Sequence, residues 1–443
     1  MNLRIGHIVA FFLAGAAMDT HAADTWILRT DLWQSPAFST LSVTLDAMAL
    51  QGELDGDAIR GTVDGKAWTF ESTDAQGRTS RYRLRLGKQA MTGEADLPDP
   101  NNPARRVTHA VTGWKVPARD GGTRTWEYRP TTYSNTWDAD RHPALVVWPG
   151  DSIHTSTVDS GGVDEHGVTR ALFGNPQTGP FFIVGAQAGD TLVVHIRRLR
   201  LNRDYADSLD AIVGRALGSP LVPEARDLGK PVRWILDRAR GLARPEGASG
   251  PLAHYAVPVK PMLGGMAVAP GFGTPPISTG DTGRFGGNMD FNEVVEGNTV
   301  YLPVQQPGAL LYIGDAHALQ GDGETTQYAL ETSMDVTLTV DLIHGRAVSM
   351  PRVESPAQIM VLGQAGSLDE ALKAASTGMI QWLQQDYALT LSEAAQVMGT
   401  AVHYSVPNLA GRSVGVAAKI DKSLLPARAS PTAFDQVGAP PAR

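Results

Sequence analysis

The feature that most constrains the fold is a recurring pattern in which two apolar segments flank a Gly-Asp or Pro-Gly pair. It occurs in "PALVVWPGDSIHTSTVD", in "GPFFIVGAQAGDTLVVHI" and in "NTVYLPVQQPGALLYIGDAHA". Gly and Pro supply the dihedral angles of tight turns, and the flanking segments are typical of strands. With 47 Gly and 29 Pro in 443 residues, the chain has turn residues for many short strands. We therefore predict a mainly β fold, an antiparallel β-sandwich with a few packed helices.

Helical periodicity occurs in three segments, at residues 205–217, 367–387 and 390–399. The second segment begins with Ser367 and the third with Thr390, and both residue types are common N-caps because their hydroxyl accepts a backbone N–H. We predict a helix in each segment.

Residues 24–125 have a character of their own. Segments such as "LSVTLDAMALQGELDGDAIRGTVDGKAWTFEST" alternate apolar and polar residues between Asp-Gly turns, but they contain no catalytic constellation. We predict a small antiparallel β module here, the alternative being that these strands extend the main sheet. The main domain is then expected over residues 126–425, followed by a disordered tail at 426–443.

The N-terminus has the pattern of a secretory signal peptide. Arg4 lies in a short basic region, "IVAFFLAGAAM" is apolar, and "THA" ends at Ala22 with small residues at both cleavage-site positions. We predict a signal peptide over residues 1–22 and an exported protein, periplasmic or secreted; a buried N-terminal helix is the alternative. No later segment has about 18 uninterrupted apolar residues, so we predict no membrane span in the mature chain.

Composition excludes several classes of function. The chain has no Cys, which rules out a thiol nucleophile, a Cys-based zinc site and disulfides. A net charge of −8 and a pI near 5.8 give no basic surface for nucleic acid. Catalysis would therefore depend on carboxylates, His, Lys, Ser/Thr, Tyr or a metal.

Two Asp, one His and one Glu are concentrated in "GDAHALQGDGE", residues 314–324, directly after the apolar run "GALLYI". In an extended segment Asp315 and His317 face the same side, and Glu331 would return beside them if the following segment is an antiparallel strand. Carboxylate and imidazole ligands that converge in this way suit a divalent cation, Zn²⁺ most readily. Asp322 and Glu324 are candidates for an acid, a base or a supporting group.

Other candidates have less support from spacing. Asp159 in "STVDSGG" is a further candidate metal ligand, and Asn288 and Asp290 in "GGNMDFNE" are candidate catalytic residues. Each of these stretches could instead be a plain loop. Taken singly, Asp315 could merely close a Gly-Asp turn, and His317 could be an ordinary hydrogen-bonded histidine.

The sequence resembles the acetamidase/formamidase family. The similarity rests on "GGNMD", on "VYLPVQQPGALLYIGDAHALQGDGE", on the Gly-rich "MLGGMAVAP", on "NPQTGPFFIVGAQAGDTLVVHI" and on "PGDSIHTSTVD". These segments cover most of residues 126–410 in the family's order. The resemblance implies a β-sandwich with helical additions that hydrolyses C–N bonds of small linear amides to carboxylate and ammonia. Family members are often oligomeric, so the resemblance leaves a homo-oligomer open.

The residues agree with amide hydrolysis by exclusion, since the sequence has no Gly-x-Ser-x-Gly elbow and no His-Glu-x-x-His helix. A water activated by a metal or a carboxylate remains. A metal held by Asp315 and His317, with Asp159 or Glu331, could activate it. We expect Glu324 to pass a proton to the leaving nitrogen and Asn288 to stabilise the oxyanion. An exported binding protein without activity on the same scaffold is the alternative.

The predicted signal peptide can be tested directly. We expect the mature chain to begin at or close to Ala23, because the small residues before it fit the cleavage site of a signal peptidase. N-terminal sequencing of material recovered from the periplasm or the medium checks this. An intact Met1 in that material would contradict the prediction.

Overall fold

The computed structural model describes residues 24–46, 48–88, 90–119 and 121–429. The predicted signal peptide and most of the predicted tail lie outside these residues. The described residues form two compact units. The first holds residues 24–31 and Phe38–Val116, and the second holds Leu32–Ala37 and residues 117–429.

The first unit is a closed antiparallel barrel. Its strands, as far as the chain is described, are β1 (Asp24–Leu32), β2 (Ser35–Asp46), β3 (Ala49–Leu54), β4 (Asp57–Asp64), β5 (Ala67–Thr73), β6 (Thr79–Leu86), β7 (Ala90–Pro98) and β8 (Arg106–Lys115), and β8 pairs back with β1.

Sequence alternation explains the barrel. In β5 every second residue is buried, which places Trp68 and Phe70 inside, where Phe70 stacks on Tyr82 at 4.7 Å. Asp55 and Gly56 connect β3 to β4 with positive φ at both residues, as the tight hairpin turns that Asp-Gly pairs favour require.

The second unit is also mainly β. Its strands are β9 (Thr125–Glu127), β10 (Thr136–Trp137), β11 (Leu145–Val147), β12 (Ser152–Ser156), β13 (Gln177–Ile183), β14 (Thr191–Leu201), β15 (Tyr205–Leu209), β16 (Pro231–Asp237), β17 (Leu242–Pro245), β18 (Val257–Pro258), β19 (Met262–Ala267), β20 (Ile277–Ser278), β21 (Thr282–Gly283), β22 (Gly286–Asn288), β23 (Thr299–Pro303), β24 (Leu311–His317), β25 (Glu331–Thr332), β26 (Met334–Ile343), β27 (Arg352–Glu354), β28 (Gln358–Ala365), β29 (His403–Ser405) and β30 (Val414–Asp421). The α-helices of the described chain are α1 (Leu368–Tyr387) and α2 (Leu391–Ala401).

Two large sheets contain most of these strands. One has the order β29-β30-β28-β27-β23-β14-β26-β12-β9, and the other runs β18-β17-β16-β15-β25-β24-β19-β22-β21, with β13 and β11 attached to β24. A single apolar core takes side chains from both sheets, among them Val194, Leu338, Leu263 and Ile313. The mainly β class is confirmed, while the sandwich arrangement stays a prediction.

Helix α1 packs on the first of these sheets. Ala371, Met379 and Trp382 join Val361 of β28 in an apolar cluster. The helix approaches closely because Gly363 of β28 has no side chain: a Cβ there would lie 2.0 Å from the Ala371 carbonyl oxygen. The predicted N-caps are confirmed, since Ser367 accepts the Glu370 N–H and Thr390 forms a capping box.

The prediction of a helix at residues 205–217 is wrong. Tyr205–Leu209 is strand β15, which pairs with β16 on one side and β25 on the other, and only Gly214–Ala216 forms a 3₁₀ turn. The apolar spacing of this segment fits either the period of a helix or the period of a strand, and pairing within the sheet decides for the strand. Within the described residues, no helix is long and apolar enough to cross a membrane.

The two units lead to a proteolysis prediction. We expect trypsin to cut in "PARDGGTR", residues 117–124, which contains Arg119 and Arg124 between the barrel and β9. A stable fragment that begins there and extends through α2 should accumulate, as identified by mass spectrometry of a time course. If the barrel and the rest of the chain disappear together without such a fragment, the two units do not fold separately.

Candidate active site

Strand β24 places two of the candidate residues in the interior. All seven of its residues are buried, and it lies between β19 and β25 in the sheet. Asp315 has φ of +52°, in the left-handed region that residues with a side chain rarely adopt. Its Oδ1 lies 3.4 Å from Nε2 of His317. The two side chains therefore share one location, as their spacing predicts.

Glu331 joins this pair across the sheet. It lies directly opposite His317 in the antiparallel pairing of β24 with β25, and its Oε1 is 3.1 Å from His317 Nε2. The Ser160 hydroxyl hydrogen-bonds to the same carboxylate. His317, Asp315 and Glu331 are only 1%, 2% and 4% exposed, so these charges are almost fully withdrawn from water.

Asp290 reaches the same location through backbone contacts. The carbonyl of Gly264 in β19 accepts the N–H groups of Met289 and Asp290, at 2.8 and 3.1 Å. Oδ2 of Asp290 then accepts the side-chain amides of Asn288 at 2.7 Å and Asn408 at 2.5 Å. These two bonds hold the Asp290 carboxylate through Oδ2, and its other oxygen, Oδ1, takes part in neither of them.

The space for two of these carboxylates depends on Gly264. A Cβ at this position would lie 2.5 Å from Asp290 Oδ1 and 2.7 Å from Asp315 Oδ2. Hydrogen bonds hold both carboxylates in place, since Asp290 accepts the two amides named above and Asp315 Oδ2 accepts the amide of Asn175 at 3.3 Å. Both Asp residues also have left-handed backbone, at φ of +42° and +52°. Strained residues of this kind are concentrated at functional sites in proteins.

Gln320 fixes the tautomer of His317. Its amide nitrogen donates to two backbone carbonyls, those of Asp290 at 2.6 Å and Pro407 at 3.1 Å, so its Oε1 faces Nδ1 of His317 at 2.9 Å. Since Oε1 can only accept, Nδ1 carries the hydrogen. The neutral imidazole then presents its Nε2 lone pair to the carboxylates of Asp315 and Glu331. That arrangement is repulsive unless a proton or a metal ion lies between them.

Glu324 completes the cluster from the loop that follows β24. It is 7% exposed, has φ of +42°, and lies near Asp290 and His317. Backbone hydrogen bonds hold its loop: Gly323 donates to the Pro407 carbonyl, and Leu409 donates to the Gly323 carbonyl.

Burial and neighbouring charges shift the pKa values of four groups in the cluster. Burial, followed by the neighbouring Asp315 charge, raises the pKa of Asp290 well above its usual value. Burial and the Asp290 charge do the same to the pKa of Glu324, and burial raises the pKa of Glu331. Burial alone would lower the pKa of His317, but the charges of Glu331 and Asp315 outweigh it and raise that pKa. The cluster therefore has a strong affinity for cations, either protons or a metal.

Two sets of side chains in the described chain have donor atoms close enough to bind one ion: Asp290, His317 and Glu324, and Asp315, His317 and Glu331. In each set the donor atoms lie within 4.8 Å of one another. Four buried atoms of these sets have no hydrogen-bond partner among the described residues, namely Asp290 Oδ1, Asp315 Oδ1, His317 Nε2 and Glu331 Oε2. Unpaired atoms of this kind fit a metal site.

The structure does not bring two of the predicted residues to this cluster. Asp159 is buried, but its Oδ2 pairs with Arg203 at 2.7 Å and its Oδ1 accepts the Val163 N–H, so both oxygens are engaged. Asp322 is exposed and accepts the amide of Asn292 at 2.8 Å. The sequence prediction for Asp322 followed from its nearness to Glu324 along the chain, whereas the turn at Gly323 separates the two side chains.

Residues that the sequence analysis did not select also contribute. Asn175 donates to Asn288 Oδ1 at 2.8 Å and to Asp315 Oδ2 at 3.3 Å. Asn408 contacts Asp290 from more than 100 residues further along the chain. Arg203, at 3% exposure, donates to the carbonyl of Glu331 as well as to Asp159. No local motif marks these residues, because only the tertiary fold brings them near the acids.

A pocket of about 360 Å³ opens onto the cluster. Its wall includes Asn175, Asn288, Asp315, Glu324 and Glu331. The pocket thus gives a small polar molecule access to three of the buried carboxylates.

Comparison with known proteins finds similarity to one family. Residues 274–404 match the model of the Acetamidase/Formamidase family. This range contains every residue of the buried cluster: Asn288, Asp290, Asp315, His317, Gln320, Glu324 and Glu331. A Schizosaccharomyces pombe protein, provisionally named a formamidase, is 42% identical over 59 residues, which are 13% of this chain and 14% of that protein's length.

Solved structures with the same family names have a similar fold. A recombinant predicted acetamidase/formamidase from Thermoanaerobacter tengcongensis matches with a TM-score of 0.58 and 26% identity over 69% of this chain and 97% of that one. An acetamidase from Yersinia enterocolitica matches with a TM-score of 0.60 and 27% identity over 70% of this chain and 95% of that one. The resemblance inferred from the sequence is confirmed: residues 274–404 match the model of this family, and the fold is similar to these solved structures.

The role of Gly264 gives a stability prediction. We expect Gly264→Ala to lower the free energy of unfolding by about 1–3 kcal/mol, because the added methyl group collides with two fixed carboxylates. Gly321→Ala is the matched control, since a Cβ there meets nothing within 4 Å and its φ is ordinary; its effect should stay within about 0.5 kcal/mol. Urea denaturation of both variants measures this. Equal effects would mean that the carboxylates are not confined as described.

Proposed function

We propose that the protein is an exported amidase that hydrolyses linear amides to a carboxylate and ammonia at the buried cluster. The observation that carries this proposal is the orientation of His317, whose buried Nε2 faces the carboxylates of Asp315 and Glu331 without a hydrogen-bond partner among the described residues. A cation site beside a pocket for a small polar molecule suits amide hydrolysis, because a bound cation can activate the otherwise unreactive amide carbonyl. Export rests on the signal-like N-terminus.

A divalent cation, Zn²⁺ first, fits the donors of the cluster. Asp290, Asp315, Glu331 and His317 each contribute a buried atom without a hydrogen-bond partner in the described structure, and carboxylate with imidazole is a donor set that Zn²⁺ accepts. Gln320 would act as the outer partner that orients the imidazole. When bound, the metal would lower the pKa of a water and polarise the substrate carbonyl.

The protein's own groups supply the remaining steps. Asn288 lines the pocket and uses one N–H on Asp290, which leaves its second N–H for the oxygen of the substrate carbonyl. As water adds to the carbonyl carbon, its proton passes to a carboxylate of the pocket wall, Asp315 or Glu331. Burial and the Asp290 charge raise the pKa of the Glu324 carboxyl, which favours its protonated form. It donates this proton to nitrogen as the C–N bond breaks and the electron pair moves to nitrogen.

Asp290 has a supporting role in this scheme. It does not line the pocket, and its charge, next after burial itself, raises the pKa of Glu324. The alternative of a non-catalytic binding protein on the same scaffold is not favoured, because the acids and the histidine are all present and buried together.

Two substitutions separate the metal site from the proton donor. His317→Ala should lose most of its bound metal and its activity, because it removes a donor shared by both candidate ligand sets. Glu324→Gln keeps the shape and should keep the metal, because Asp315, His317 and Glu331 form a ligand set without it. Ammonia release from linear amides should nevertheless fall by about 10² to 10⁴-fold, as expected for loss of a positioned acid. Elemental analysis and an ammonia assay measure the two properties.

Asp322→Asn is the matched control, since it makes the same kind of change in an exposed acid of the same loop. It should retain metal and turnover. Normal turnover in both His317→Ala and Glu324→Gln would show that the cluster is structural. Bound metal with no turnover of any amide by the wild type would mean that the scaffold carries another reaction.

A further inference from the structure

A second pocket adjoins Glu324 on the side away from the polar one. It has a volume of about 430 Å³, within the range of pockets that bind small molecules. Glu324 and Tyr328 line both pockets, while Asn288, Asp315 and Glu331 line only the polar one. The candidate proton donor therefore stands where two chemically different spaces meet.

The walls of this second pocket are apolar in their chemistry. Val232, Trp234 and Pro245 come from the hairpin of β16 and β17, with Val257 from β18 and Leu330 beside β25. They form a continuous hydrocarbon and aromatic surface next to the acid.

Several polar groups of the wall have hydrogen-bond partners within the protein. The Trp234 Nε1–H donates to the Ser208 hydroxyl at 2.9 Å. Asp210 accepts the backbone N–H groups of Gly229 and Lys230 at 2.5 and 2.7 Å. The Thr326 hydroxyl donates to the Tyr328 carbonyl. An occupant of the pocket therefore meets apolar surface, with Glu324 as the polar group directed to the reaction.

The mouth of this pocket exposes apolar side chains. Leu252 is 53% exposed and Tyr255 is 46% exposed, and Tyr255 lies edge-on to Trp234 at 6.2 Å. Apolar groups that remain in contact with water around a pocket gain free energy when an apolar ligand covers them.

We propose that this second pocket binds the acyl group of the substrate, so that the preferred substrates are primary amides with an apolar acyl chain longer than acetyl. The proposal rests on the proposed function. The nitrogen belongs on the polar side, because its N–H groups need hydrogen-bond acceptors, which the walls of the polar pocket contain and the apolar walls of the second pocket do not. The carbonyl carbon lies beside Glu324, and its other substituent then extends into the apolar pocket.

A series of amides tests this assignment on the full-length protein. Acetamide, butanamide and hexanamide extend the acyl chain, while N-butylacetamide is an isomer of hexanamide with its apolar chain on nitrogen. We expect kcat/KM to rise about fourfold per added methylene, from the free energy of burying a CH₂ group. Hexanamide should exceed N-butylacetamide. Release of the carboxylate product is measured for all four compounds.

Each outcome decides one claim. Equal or falling kcat/KM along the acyl series, with acetamide hydrolysed, overturns the acyl pocket and leaves the amidase proposal intact. A preference for N-butylacetamide assigns the pocket to the amine side and overturns the acyl assignment. Hydrolysis of none of the compounds overturns the proposed function together with this inference.

Substitutions in the wall and at the mouth of the second pocket test whether this pocket causes the preference for longer acyl chains. Leu252→Glu places a charge at the pocket, and the ratio of kcat/KM for hexanamide over acetamide should fall by about tenfold, equivalent to roughly two methylenes of lost contact. Val232→Thr, a polar change of similar shape, should lower the same ratio by a smaller factor. Leu221→Glu is the control: Leu221 is 52% exposed and does not line the pocket, so the ratio should not change. If Leu252→Glu changes only the oligomeric state in sedimentation and not the ratio, the pocket is an interface between copies and the proposal is wrong.

Discussion

The burial of four carboxylates around one imidazole is the interaction on which the rest of the second unit depends. Asp290, Asp315, Glu324 and Glu331 surround His317 with almost no exposure to water. Withdrawing a charge from water is costly, and like charges at close range add to the cost. The cluster is stable only if it takes up cations, as protons or as a metal. The raised pKa values of Asp290, Glu324 and Glu331 reflect this requirement for cations.

The surrounding structure is arranged to hold this unfavourable group in place. β24 is buried along its whole length between β19 and β25, which anchors Asp315 and His317 in a rigid sheet. Three acids of the cluster have left-handed backbone, which costs free energy at each of them. Gly264 leaves the space that the carboxylates occupy. A site of this kind trades stability for function, and packing of the apolar core offsets the cost.

How well the sequence predicts a contact in this structure depends on how far apart the two residues are along the chain. Asp315, His317 and Glu331 were predictable because a strand places alternate residues on one face and its neighbour returns opposite. The predicted N-caps at Ser367 and Thr390 are equally local. Asp322 could not be separated from Glu324, since the turn between them is set by packing against the Pro407 segment.

The sequence analysis did not find the contacts of longer range, because the residues that make them are far apart along the chain. Nothing in its neighbours marks Asn408, whose side-chain amide donates to Asp290, 118 positions earlier in the chain. The sequence around Asp159 does not reveal that Arg203 is its ion-pair partner. The helical pattern at Tyr205 gave way to pairing between strands.

The two pockets on either side of Glu324 connect the energetics of the cluster with its proposed chemistry. A general acid must be protonated near neutral pH, and for a carboxyl group this requires the loss of water around it. In the proposed arrangement the polar pocket holds the substrate nitrogen, whereas the wall of the second pocket beside Glu324 is mainly apolar. An acyl chain that fills the apolar pocket would remove water from that side and favour the protonated form further. Binding of the substrate's inert portion would then assist the proton transfer at its reactive portion, which is how remote binding energy raises kcat.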